Sequence, residues 1–176
     1  DVFARIAAEI FSANGIEVFL FESLRPTPEV SFAIRELGCQ SGVMITASHN
    51  PKEYNGYKAY WSDGAQMLAP HDRNTIIEVN KITKVEDIHF DARPELIKTL
   101  GADFDKKFIE RVATLSAPQR ESIARHKDLK IVYTPIHGTG VRIIPEALRA
   151  IGFTNIINVP EQDVVSGNFP TVYSPN

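Results

Sequence analysis

The feature that most constrains the fold is a short apolar run that breaks abruptly into a polar loop. Residues 42–46 contain the run Val-Met-Ile between turn-forming residues, a pattern that favours a buried strand. The Asn-Pro pair at 50–51 ends that strand, because proline has no N–H to donate to a neighbouring strand. Ser48 and His49 should therefore lie at the carboxyl end of a strand, which is where open α/β sheets bind their ligands.

Helical and strand-like patterns alternate on both sides of this loop. In chain order they predict a helix over 1–13, a strand over 16–21, a helix over 27–37 with Thr27 as its N-cap, the strand 42–46, an antiparallel strand over 57–61, helices over 70–81 and 103–115, a strand over 129–134, a helix over 141–151 and a strand over 155–159. Residues 83–100 have mixed charge and weak periodicity, and we expect their Lys, Asp and Glu side chains to face water. This order predicts a three-layer α/β/α fold with a mixed, mainly parallel sheet, followed by the start of a second, similar α/β unit.

The sequence Gly101-Ala102-Asp103 marks a candidate domain border. We assign residues 1–102 to a first domain that carries the polar loop, and residues 103–176 to the start of a second domain. The chain begins without methionine and already in a helical pattern, so we expect both of its ends to be cuts through a longer protein.

Composition and charge argue against two classes of partner for this chain. The 22 acidic and 19 basic residues give a net charge of −3, which is too mild to favour nucleic acid or an anionic membrane surface. No apolar run approaches the ~18 residues that a membrane-spanning helix needs. The single cysteine, Cys39, has no partner for an internal disulfide, so we expect a reducing, cytoplasmic location and a small packed side chain rather than a reactive thiol.

The polar loop also carries a resemblance to a known family. Residues 46–51 read Thr-Ala-Ser-His-Asn-Pro, and residues 54–60 read Tyr-Asn-Gly-Tyr-Lys-Ala-Tyr. This pattern resembles the active-site serine loop of the α-D-phosphohexomutases, which include the phosphoglucomutases and phosphomannomutases. The resemblance implies an isomerase of carbohydrate metabolism in which a phosphoserine passes its phosphate to a sugar phosphate and takes one back from the resulting bisphosphate. The longer match over 55–72 looks like the branch of glucose phosphomutases and phosphopentomutases, which indicates glucose 1-phosphate or a pentose phosphate as substrate more than an amino sugar. Glucose, mannose and pentose phosphates all stay open as substrates.

Four side chains of this region receive roles from the resemblance. It implies Ser48, His49 and Lys58 as catalytic residues, and it adds Asn50 to these three as a phosphate contact. The chemistry is suitable, because a phosphoserine carries about two negative charges and needs cations and hydrogen-bond donors nearby. From the residues alone, the alternatives stay open that Lys58 is an exposed strand lysine, that His49 only orders the loop and that Asn50 only shapes it.

Magnesium is the cofactor that the resemblance implies. A phosphate oxygen on Ser48 would be one ligand, since Mg²⁺ favours carboxylates together with phosphate. The family's other ligands are three aspartates in an Asp-x-Asp-x-Asp-Arg loop of the second domain, and no such loop occurs in this sequence. We expect the remaining ligands to lie outside this chain, with Asp63, Asp72 and Asp163 in turn or surface roles.

Two other functions compete with that of a mutase. A non-catalytic module could use the same loop to bind phosphate or another anion, and for the isolated chain, which we expect to be inactive, this interpretation has practical weight. A serine hydrolase would need a glycine-flanked serine elbow, which residues 46–50 lack. We also expect a solvated loop arginine at Arg25, a tight structural turn rather than a phosphate cradle at 137–140, and a homodimer of the chain if a sheet edge is left open.

Overall fold

A computed structural model of the chain describes residues 2–116 and 119–175. Its helices and strands, in chain order, are α1 (Val2–Ala13), β1 (Val18–Phe21), α2 (Thr27–Glu36), β2 (Ser41–Thr46), β3 (Gly56–Trp61), α3 (His71–Val79), β4 (Ile97–Leu100), α4 (Ala102–Leu115), α5 (Arg120–Arg125), β5 (Ile131–Tyr133), α6 (Ile143–Ile151) and β6 (Ile156–Asn158). Within the described ranges, no helix is both long enough and apolar enough to cross a membrane. The alternation of helices and strands confirms the predicted α/β class.

The backbone divides into two compact units. The first comprises residues 1–46 and 56–101, and the second comprises residues 47–55 and 102–176. The polar loop at 47–55, which we call the serine loop, is thus grouped with the second half of the chain although β2 and β3 flank it in the first. The domain division at 102–103 that the sequence indicates stays a prediction.

The first unit contains one parallel and one antiparallel strand pair. Strand β1 pairs with β4 in parallel, and β2 pairs with β3 in an antiparallel hairpin whose register runs from Ser41 opposite Trp61 to Thr46 opposite Gly56. The antiparallel direction of β3 was predicted from the short connection and is confirmed. An isolated antiparallel bridge joins Tyr60 of β3 to Gln66.

Helix α2 packs on this hairpin and forms the core of the first unit. Val30, Ile34 and Tyr60 are its buried centre, and Phe21, Cys39 and Met44 pack against them. Gly42 permits the close approach, because a Cβ at that position would lie 2.5 Å from Cδ1 of Ile34. The hairpin therefore presents one of its faces to α2.

The second unit repeats the α/β theme on a smaller scale. Strands β5 and β6 pair in parallel from Ile131 opposite Ile156. Helices α4 and α6 pack together, and Phe104, Ile109 and Ile143 are buried. Helix α6 ends at Ile151, and Gly152, with a φ of 118°, provides its left-handed cap.

Two local features of the structure differ from the sequence predictions. Strand β4 lies in the 83–100 stretch, where the sequence indicates no strand, because it is four residues long and its partner β1 is remote in sequence. Helix α2 takes Pro26 as its N-cap and begins at Thr27, so the predicted Thr27 cap is wrong by one position. Helix α1 is buried mainly through Ala8, Ser12 and Ala13, and its first residue, Val2, is 70% exposed.

Candidate active site

The β2–β3 hairpin fixes both ends of the serine loop. The last strand pair joins Thr46 to Gly56, so the nine residues 47–55 leave and re-enter neighbouring positions of the hairpin. Pro51 directly precedes a single 3₁₀ turn at Lys52–Tyr54, and the N–H of Tyr54 donates to the carbonyl of Pro51 at 2.9 Å. The loop is therefore a constrained connection rather than an open excursion.

Ser48 lies in a tight turn in an unusual backbone conformation. The N–H of Asn50 donates to the carbonyl of Ala47 at 3.0 Å, and Ser48, the second residue of this turn, has a φ of 60°. Turns with positive φ at that position normally place glycine there. A non-glycine residue in this region costs about 1–3 kcal/mol, and such strained residues cluster at functional sites. Ser48 is nevertheless exposed, so its hydroxyl is not sealed inside the protein.

His49 lies directly beside the serine hydroxyl. Its Nδ1 is 3.3 Å from Oγ of Ser48, and both side chains are exposed. An imidazole at this distance can accept a proton from a hydroxyl or donate a hydrogen bond to an oxygen bound there. The structure thus brings together two of the residues that the sequence singles out.

The other two predicted residues occupy different positions. Asn50 contributes its backbone N–H to the turn, which is the shaping role of the alternative interpretation. Lys58 lies within β3 directly opposite Met44, and directly opposed residues of an antiparallel pair share a face. The side chain of Lys58 therefore leaves the strand on the same face of the hairpin as Met44. Lys58 is half-buried, which differs from the alternative that it is an exposed strand lysine. Its role at a phosphate stays a prediction.

A further residue of the loop was not singled out by sequence reasoning. Nζ of Lys52 donates to Oδ1 of Asn168 at 2.9 Å, across 116 positions of sequence. No local pattern predicts a contact over such a separation. Lys52 belongs to the 3₁₀ turn of the serine loop, so this hydrogen bond connects the loop to the segment 162–171 of the same compact unit.

The His-Gly turn after β5 has the structural role that we expected. His137 is only 2% exposed, and the N–H of Gly138 closes the turn at 135–138 on the carbonyl of Pro135. Nδ1 of His137 donates to the carbonyl of Val164 at 2.8 Å, and Nε2 accepts from the hydroxyl of Thr171 at 2.9 Å. Both ring nitrogens are thus committed to the protein.

Arg25 differs from its predicted solvated state. It is 6% exposed at the end of the β1–α2 connection. Its guanidinium donates to Oγ of Ser23 at 2.5 Å and forms an ion pair with Glu22 at 3.3 Å. The chain turns back on itself here, which places the arginine against its own connection instead of in water.

Burial raises the pKa of two groups, the Cys39 thiol and the Tyr133 phenol. Burial, followed by the charge of Glu17, raises the pKa of the Cys39 thiol, which agrees with an unreactive packed cysteine. Burial, followed by the charge of Asp163, raises the pKa of Tyr133 at the end of β5.

The described residues do not form a metal site on their own. In the ranges 2–116 and 119–175, no group of three or more His, Cys, Asp or Glu side chains is placed to hold a metal ion. The Ser48 hydroxyl and the His49 imidazole by themselves do not suit Mg²⁺ without a phosphate and added carboxylates.

Comparison with known proteins identifies the family. Residues 1–86 match the family model of the phosphoglucomutase/phosphomannomutase α/β/α domain I, and residues 106–176 match that of domain II. A phosphoglucomutase from Staphylococcus haemolyticus is 39% identical over 182 residues, which cover 99% of this chain and 32% of that protein. A human phosphopentomutase is 36% identical over 179 residues, which cover 99% of this chain and 29% of that protein.

A solved structure supports the same fold. The crystal structure of a protein assigned as a phosphomannomutase from Thermus thermophilus has a TM-score of 0.72 and 24% identity, and the similarity covers 98% of this chain and 36% of that one. The chain thus spans about a third of the length of the curated relatives that it matches. With domain models of one family accounting for most of its residues, the chain belongs to the phosphoglucomutase/phosphomannomutase family.

Proposed function

We propose that this chain is the phosphoserine-bearing part of a phosphosugar mutase, an intramolecular phosphotransferase in which Ser48 carries the transferred phosphate. The observation that carries the proposal is the exposed Ser48 hydroxyl, held in a strained turn with an imidazole nitrogen 3.3 Å away. Relatives named phosphoglucomutase and phosphopentomutase match almost the whole chain, which supports the same reaction class.

The reaction proceeds in two transfers. In the first, a sugar-phosphate hydroxyl attacks the phosphorus on Ser48; the new sugar O–P bond forms while the Oγ–P bond breaks, and the sugar leaves the transfer as a bisphosphate. In the second, Oγ of Ser48 takes the other phosphate of that bisphosphate, which regenerates the phosphoserine and releases the isomeric sugar phosphate. Each attacking hydroxyl loses one proton, and each departing oxygen gains one, so a general acid/base is needed.

The side chains around the loop divide these tasks. His49 donates to the phosphate on Ser48 or exchanges the proton with its oxygen, since its Nδ1 is already at that oxygen. Lys58 supplies positive charge and the acid/base, and Asn50 holds the turn and contacts the phosphate through its side-chain amide. Each of these roles is part of the proposal and is tested by substitution at that position.

The implied magnesium ion would neutralise charge on the transferred phosphate when bound. Of the residues in this chain, Ser48 would reach it through a phosphate oxygen, and the remaining ligands would come from residues outside this chain. The described side chains alone do not fit the ion, so we derive no step of the transfer through it.

The finer points of the proposal concern substrate, location and state. We infer a glucose or pentose phosphate as substrate, in line with the names of the relatives. The single cysteine fits a reducing cytoplasm, which we infer as the location. We infer that the isolated chain lacks mutase turnover and leave its homodimer as a prediction for light scattering.

The decisive experiment is an intact-mass measurement of the full-length protein that contains these residues. We expect one phosphate on the protein as isolated and none on its Ser48→Ala variant, with Ser62→Ala as a control that retains the phosphate. Equal phosphate content in the parent and Ser48→Ala would refute the proposal. Phosphate binding without any covalent phosphate would favour the second candidate, an anion-binding module.

A further inference from the structure

The serine loop makes a hydrogen bond to a distant stretch of its own compact unit. Besides the bond from Nζ of Lys52 to Oδ1 of Asn168, the stem of Lys52 lies across Gly167, where a Cβ would be 3.5 Å from Cβ of Lys52. The lysine thus meets the 162–171 segment with both its stem and its terminal nitrogen. No role in the mutase reaction is assigned to either Lys52 or Asn168 by the family resemblance.

The 162–171 segment is suitable as a fixed support because the buried His137 holds it at several points. The N–H of His137 donates to the carbonyl of Gln162, and the carbonyl of His137 accepts from the N–H of Ser166 at 3.0 Å. Its ring adds the bonds to Val164 and Thr171. The segment is therefore tied down on both sides of Asn168 by one side chain and its backbone.

The loop needs such a support because its central residue is strained. Ser48 at φ 60° is held only if the surrounding structure resists relaxation to negative φ. The bonds at Asn50 and Tyr54 lie within the loop, so they can move together with it. The bond from Lys52 leads out to a segment that His137 fixes, and it limits how far the loop can relax.

We propose that Lys52 and Asn168 are positioning residues, which anchor the serine loop to the His137-held segment and so keep the Ser48 turn in its strained form. The inference rests on the proposed function for its catalytic consequence, but the anchor itself concerns only the conformation of the loop. Neither residue touches the reacting atoms in this view. Their effect on phosphate transfer passes through the geometry of Ser48.

The anchor is tested by hydrogen exchange at the amides of Asn50 and Tyr54 in the full-length protein. Lys52→Met keeps the stem and loses the donor, and Asn168→Ala loses the acceptor; each should speed exchange roughly threefold, the amount expected for one exposed hydrogen bond. The double variant should also show about threefold, because one bond is lost in all three. Lys52→Arg and Asn168→Asp preserve the pair and should stay near the parent, as should Lys81→Met, which removes an exposed lysine paired with Glu78.

A second measurement separates the anchor from the proposed function. In the full-length mutase, Lys52→Met should lower kcat by roughly threefold with KM unchanged, and Lys52→Arg should restore it. The anchor is refuted if the exchange rates are unchanged in both single variants. It is also refuted if the rate increase in the double variant is close to the product of the two single increases, and both outcomes hold even if Ser48 is phosphorylated. Faster exchange in a protein whose Ser48 never carries phosphate supports the anchor and refutes the proposed function alone.

Discussion

Two turns of this chain contain non-glycine residues at positive φ but differ in their surroundings. The turn at 47–50 follows β2 and holds Ser48 at φ 60°, and the turn at 135–138 follows β5 and holds His137 at φ 60° after Ile136 at 50°. Ser48 is exposed, whereas His137 is almost fully buried with both ring nitrogens bonded to the protein. Positive φ therefore does not distinguish the two turns, whereas the burial of their histidines does, because His137 is buried and His49 is exposed.

The largest effect is expected at the exposed turn, and on activity alone. Ser48→Ala in the full-length protein should lower phosphosugar mutase turnover by about 10³-fold or more, because no carrier for the phosphate remains. The free energy of unfolding should stay within about 0.5 kcal/mol of the parent, as for most exposed positions. Coupled turnover assays and urea denaturation measure the two quantities, with Ser62→Ala as the exposed-serine control. Turnover within tenfold of the parent would contradict the comparison.

The second largest effect is expected at the buried turn, and on stability. His137→Ala removes partners from the carbonyl of Val164 and the hydroxyl of Thr171 and leaves a cavity, so the free energy of unfolding should fall by about 2–4 kcal/mol. His49→Ala is the matched control at the exposed turn and should cost about 0.5 kcal/mol or less. Urea denaturation of the two variants measures both values. Similar costs at the two histidines would show that burial does not separate the turns.

Sequence reasoning could find the serine loop and could assign a structural role to the His-Gly turn, but it could not predict the contacts that bury the second turn. The Ser-His-Asn-Pro stretch and the His-Gly stretch both follow apolar strands and both contain a histidine, so their local patterns are alike. What differs is long-range: His137 is buried by residues 162–171, and Lys52 reaches Asn168. The helices and the hairpin were predictable because their periodicity and turn residues are local. Strand β4 was not predictable, since its pairing with β1 depends on where the rest of the chain folds back. The burial of Arg25 was not predicted either, although its partners Ser23 and Glu22 lie within three residues of it.

A third prediction tests the strain in the exposed turn directly. Ser48→Gly should be more stable than Ser48→Ala by about 1 kcal/mol, because glycine adopts positive φ without the steric cost of a Cβ. The matched control is Ser122, an exposed residue of helix α5, where alanine should exceed glycine by about the same amount. Urea denaturation of the four variants gives both differences. If the alanine variant is the more stable one at both positions, Ser48 is not strained and the two turns cannot be compared on that basis.

The smallest effect concerns the approach to the buried turn and depends on pH. Burial, followed by the charge of Asp163, raises the folded-state pKa of Tyr133, while the unfolded value stays near 10. Below the pKa of the unfolded state, both states keep the phenol protonated, and the contribution of this tyrosine to the free energy of unfolding is fully present. As pH rises from there toward the higher folded pKa, the unfolded state loses the proton first, so stability falls across that window.

Denaturation midpoints measured between pH 8 and alkaline pH should fall less in Tyr133→Phe than in the parent, whereas Tyr173→Phe, at a fully exposed tyrosine, should follow the parent. If Tyr133→Phe also follows the parent, the phenol at the end of β5 is no part of the buried environment that distinguishes the His137 turn from the serine turn.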